Sequence, residues 1–111
     1  MSAASPEMEL VDPPADTQLK IAVGARLVVR LTENPTTGYR WHHTLSEQGV
    51  VEWLEDQYVS SGHLPGSGGC RSISFRGLRP GSTAIQFLLR RAWERKPPLK
   101  SLRISVDVAA P

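Results

Sequence analysis

From Leu19 onward, apolar residues recur at every second position. Leu19, Ile21 and Val23 alternate with Lys20 and Ala22, and Leu27, Val29 and Leu31 with Arg26, Val28 and Arg30. Tyr39, Trp41 and His43 continue the pattern, followed by Ile73 and Phe75, then Ile85, Phe87 and Leu89, and last Leu102, Ile104, Val106 and Val108. A period of two puts each apolar set on one face of a strand. Gly24 and Arg79-Pro80-Gly81 break the runs as turn signals do. Each strand then has one face that must be covered. Several short strands of this kind predict an all-β fold of two packed antiparallel sheets. Val50 to Val59 is read as a further strand through Val51, Trp53 and Val59, with a helical turn at Glu52 to Gln57 as the alternative.

A chain of 111 residues makes one domain, long enough to hold a core without metal or disulfide staples. The boundaries expected are a flexible leader over residues 1–17 and a sandwich over 18–109. Net charge is only +2, from mixed signs, which gives no reason to expect nucleic acid as a partner. Cys70 is the single cysteine, so no internal disulfide forms. No run of about eighteen apolar residues is present, so no membrane-spanning helix is expected. Met1 to Gln18 has no cationic start followed by an apolar stretch and does not read as a signal peptide. The compartment stays open, and a monomer is expected.

Three stretches stand outside the alternation. Asn34-Pro35-Thr36-Thr37-Gly38-Tyr39 joins two strands; Pro35 fixes its own φ and Gly38 permits a positive one, so the tip is stiff, polar and exposed. The second stretch ends in Gly66-Ser67-Gly68-Gly69, and the third contains Arg91-Ala92-Trp93-Glu94. If successive strands run up and down, all three connections fall at one end of the sandwich.

In that order, these motifs resemble the chagasin-like inhibitors of papain-type cysteine proteases. Asn34 to Tyr39 followed by Trp41 is similar to the family's first loop without a gap, and Gly66 to Gly69 to its Gly-X-Gly-Gly loop. Arg91-Ala92-Trp93 resembles its Arg-Pro-Trp loop, with Ala92 where proline is expected. The resemblance runs from about Leu19 to Val108. It implies an immunoglobulin-like β-sandwich whose three loops fill the cleft of a papain-like cysteine protease by reversible, tight binding. It places Thr36, Thr37 and Gly38 at the catalytic cysteine and histidine, Gly66 to Gly69 along one side of the cleft, and Arg91 and Trp93 along the other. The residue types fit these roles. A preformed loop loses little entropy on binding, threonine hydroxyls can bond a thiolate–imidazolium pair, and Trp and Arg are typical binding anchors.

Plainer readings stand beside these. Taken alone, Asn34 to Gly38 reads as a tight turn and Gly66 to Gly69 as a flexible linker; the three motifs together outweigh both. Trp93 follows Ile85, Phe87 and Leu89 in phase and could be core, although the charges at Arg90, Arg91, Glu94, Arg95 and Lys96 argue that the chain has left the core there. Trp41 and Trp53 are read as structural. Cys70 with His42, His43 or His63 offers no third residue to orient a histidine, so no enzyme is expected. His42 and His43 point to opposite strand faces, and no metal or other cofactor is expected. The competing function is an immunoglobulin-like adhesion or assembly module that binds another protein through the same loop end.

Overall fold

The computed structural model describes residues 7–60 and 68–110. Eight strands appear among them: β1 (Glu7–Val11), β2 (Asp16–Ala22), β3 (Arg26–Glu33), β4 (Arg40–Leu45), β5 (Val51–Ser60), β6 (Gly69–Gly77), β7 (Gly81–Arg90) and β8 (Lys100–Ala109). They form two four-stranded sheets, ordered β1-β3-β6-β5 and β2-β8-β7-β4. The immunoglobulin-like sandwich is the fold found, and Val51–Ser60 is a strand rather than a helical turn.

The alternation defines the core. Leu27, Val29 and Leu31 from β3, Ile73 and Phe75 from β6, Ile85 and Phe87 from β7, and Ile104 and Val106 from β8 are wholly buried between the sheets. Burying one such side chain stabilises by about 1.5–3 kcal/mol. Trp41 joins this core, as expected.

Three expectations change. Residues 7–17 are not a flexible leader. Glu7–Val11 pairs in parallel with Arg26–Arg30, Met8 and Leu10 pack on the core, and Glu9 pairs with Arg30 at 2.7 Å. Met8 and Leu10 alternate with Glu7, Glu9 and Val11. That pattern is short and stands beside the prolines at 13 and 14, yet it suffices for an edge strand. β2 likewise pairs in parallel with β8, so two of the strand pairings depart from the antiparallel rule. Trp53 is not a core residue. It sits on edge strand β5 beside a bulge between Trp53 and Glu55, 53% exposed, with its ring against His43 at 5.3 Å.

The register places the loops. Glu33 at the end of β3 lies opposite Gly69 at the start of β6, and Ser60 at the end of β5 lies opposite the same Gly69. Arg40 at the start of β4 lies opposite Arg90 at the end of β7. The β3–β4, β5–β6 and β7–β8 connections therefore leave from one end of the sandwich.

Candidate functional site

The β3–β4 connection is built by its own side chains. Pro35–Thr37 forms one 3-10 turn. Asn34 caps it: its Oδ1 accepts from the Thr36 amide at 3.1 Å and from Thr36 Oγ1 at 2.7 Å. Thr37 Oγ1 donates to the Asn34 carbonyl at 2.8 Å and accepts from the Tyr39 amide at 3.3 Å. Gly38 closes the turn with φ +81, a conformation costly for any residue with a Cβ. Both threonine hydroxyl protons are thus used inside the loop. What Thr36 and Thr37 offer a partner is acceptor lone pairs, not free donors.

The β7–β8 connection leans on that loop. Arg91 Nε donates to the Thr37 carbonyl at 2.9 Å, its guanidinium lies 4.4 Å from the centre of the Tyr39 ring, and its Nη1 donates to Glu94 at 2.8 Å. Arg91 is therefore a strut between two loops. The Glu94 amide donates back to the Arg91 carbonyl at 3.2 Å, so Arg91 to Glu94 is a β-turn with Ala92 second, where proline is also favoured. Trp93 leaves the core and is 72% exposed. A Cβ added at Gly38 would stand 2.5 Å from its Cη2, so the indole rests over Gly38.

Of the second motif, Gly66 and Ser67 lie outside the described residues. Gly68 lies beside Asn34. Gly69 is a strand residue, and a Cβ there would collide with the Val59 carbonyl and approach the Tyr58 hydroxyl at 2.8 Å. The glycine at 69 is required by the packing of β5 on β6.

Beneath the loops lies a network that sequence reasoning misses. Glu33 is 2% exposed. Its carboxylate accepts from the Trp41 amide at 2.9 Å and binds Arg71 through Nε at 2.8 Å and Nη2 at 2.8 Å. Arg71 also binds Asp56 at 2.5 Å. Trp41 Nε1 donates to the Thr32 carbonyl at 2.9 Å. The hydrogen bond to Glu33, with Asp56 behind it, holds the Arg71 guanidinium above its ordinary pKa against the opposing effect of burial. Glu33 thus ties β3 to β4 across the sheets and to β6 within one, at the base of the first loop. A signal is present: Glu33 continues the inward phase of Leu27, Val29 and Leu31, and Arg71 that of Ile73 and Phe75.

Nothing among the described residues resembles a catalytic or metal centre. Cys70 is half-buried on β6, and no metal-binding group of His, Cys, Asp or Glu occurs among the described residues. His43 lies inward among Trp53, Phe75 and Phe87, and burial lowers its pKa. His42 is lowered first by burial, then by Arg90 and Arg40.

The family model described as Chagasin family peptidase inhibitor I42 matches residues 20–108. The chain belongs to the chagasin family of peptidase inhibitors. This is a family of inhibitors, not enzymes. Among solved structures, the cysteine protease inhibitor EhICP2 from Entamoeba histolytica is 26% identical with a TM-score of 0.87, over 97% of this chain and 100% of that one. Amebosin is 29% identical with a TM-score of 0.67, over 95% and 100%. PbICP-C, solved in complex with falcipain-2, shares the fold at 18% identity and a TM-score of 0.58, over 96% and 100%. No curated protein matches the chain significantly. The described parts of the three chagasin-like motifs are thus the residues that gather at one end of the sandwich.

Proposed function

We propose that this chain reversibly inhibits papain-like cysteine proteases by inserting its loop end into the active-site cleft. The observation that carries the reading is the joining of the first and third motifs: Trp93, 72% exposed, rests over Gly38, and Arg91 holds Thr37. An exposed indole on a stiff support is what a binding anchor needs. The 3-10 turn supports a non-substrate mode. A protease aligns its substrate as an extended strand, whereas Pro35–Thr37 is coiled and pinned by Asn34, so its peptide bonds present no cleavable geometry. Thr36 and Thr37 would accept hydrogen bonds at the catalytic imidazolium. Pro35, Gly38 and Tyr39 shape that tip, and Gly66 to Gly69 and Glu94 would flank it. The inhibitor works as a monomer and needs no cofactor. An adhesion or assembly role gains no specific observation.

Titration of a papain-type protease against a fluorogenic peptide tests this. Stoichiometric inhibition is expected, with the chain intact by mass spectrometry after long incubation. Trp93→Ala should weaken binding by about 2 kcal/mol or more with little change in melting temperature. Cleavage between Asn34 and Tyr39 that accompanies inhibition, or full potency in Trp93→Ala, would refute the mode. Cys70→Ser should inhibit like the parent with or without reductant; loss of inhibition would point to a thiol mechanism.

A further inference from the structure

The arginines of the β1-β3-β6-β5 sheet all have acidic partners. Arg26 meets Glu55 at 2.8 Å, Arg30 meets Glu9 at 2.7 Å, Arg71 meets Glu33 at 2.8 Å, and Arg76 meets Glu52 at 2.7 Å. The loop end of the other sheet is arranged differently. Among the described residues, Arg40, Arg90, Arg95 and Lys100 have no carboxylate within salt-bridge distance. Lys96 is 83% exposed and reaches only Glu94, at 3.8 Å, whose other oxygen already holds Arg91. Glu94 is the one acid between residues 90 and 100.

Arg40 and Arg90 stand directly opposite each other on β4 and β7. Like charges at facing positions destabilise a strand pair. With 13 basic and 11 acidic residues in the whole chain, this cluster reflects placement rather than composition. Arg90, Arg95 and Lys96 flank Trp93 along the chain, and Arg90 and Lys96 border a groove of about 210 Å³ that is also lined by Tyr39, Arg91, Leu99 and the acid Glu94.

We propose that this cationic flank is a selectivity and steering surface for cysteine proteases whose cleft rim is acidic on the side that meets the third loop. The proposal rests on the inhibitor reading. The field of such a cluster reaches about 10 Å at 0.1 M salt and acts on encounter before the loops engage. Arg90, Arg95, Lys96 and Lys100 lie on the β7–β8 hairpin that carries the exposed indole, and Arg40 faces Arg90 from β4; a patch this short fits a protein rim better than the track of a long polyanion.

Stopped-flow association with two papain-type proteases, one acidic and one basic at the rim, tests this from about 50 mM to about 500 mM NaCl. The variant is Arg95→Gln/Lys96→Gln/Lys100→Gln, checked for an unchanged melting temperature. For the parent at low salt, the acidic-rim protease should associate about tenfold or more faster. That advantage should vanish at high salt and in the variant, with dissociation rates little changed. Trp93→Ala should instead speed dissociation and keep the salt slope. Equal salt slopes in parent and variant, with inhibition intact, overturn the steering proposal and leave the inhibitor reading standing. Variant loss of heparin retention without any change in protease association also overturns it and assigns the patch to polyanions. Failure of the parent to inhibit either protease defeats both.

Discussion

Several residues of the loop end hold one another before they hold anything else. Asn34 Oδ1 organises the first loop, and Arg91 braces it from the third. Asn34→Ala should therefore loosen the loop at about 1 kcal/mol, the scale of a lost cap, and weaken inhibition while the sheets stay intact. Paired inhibition constants and melts check this; unchanged potency would deny the loop its preformed state. Gly38→Ala should do more, because it strains a backbone at φ +81 and drives a methyl group into Trp93. Ala92 sits where proline is favoured in the turn closed by the Glu94 amide. Ala92→Pro should stabilise by about 0.4–1 kcal/mol and sharpen inhibition, whereas a lower melting temperature would show that position 92 uses its N–H.

The strands are legible in the sequence because a period of two survives in almost every one of them. β1 escapes that reading, since its two inward residues, Met8 and Leu10, are too few to stand out beside neighbouring acids and prolines. Trp53 has an inward phase, but the edge position of β5 leaves that phase half uncovered. The loop motifs are legible as residue types. Their wiring is not, since the hydrogen bonds of Thr36, Thr37 and Arg91 depend on which loops meet. Glu33 and Arg71 look like surface charges until the register puts both inside. Breaking that buried pair with Glu33→Ala should cost about 3–5 kcal/mol and lower the melting temperature sharply. A melt within the error of the parent would show that Arg71 is satisfied by Asp56 alone.

For the molecule as a whole, stability should depend on pH through its histidines. His43, among three aromatic rings, has a folded pKa below its ordinary value, chiefly through burial, and His42 shifts the same way. The unfolded chain then binds protons that the folded one resists. Stability is fully present above about pH 6.5, the ordinary histidine value, and falls as pH drops through the folded pKa. Melts between about pH 7.5 and 5.5 should show this fall, and His43→Phe should flatten it. An equal slope in that variant would assign the effect elsewhere.

Hydrogen exchange on the complex with a papain-type protease probes the inhibitory end directly. Protection should appear at Asn34 to Arg40 and Arg91 to Glu94, while Ala22 to Ala25 and Leu78 to Ser82, at the far end of the sandwich, exchange as in the free chain. Protection confined to that far end, or to the β4 and β5 edges, would contradict a cleft-filling role for the loops.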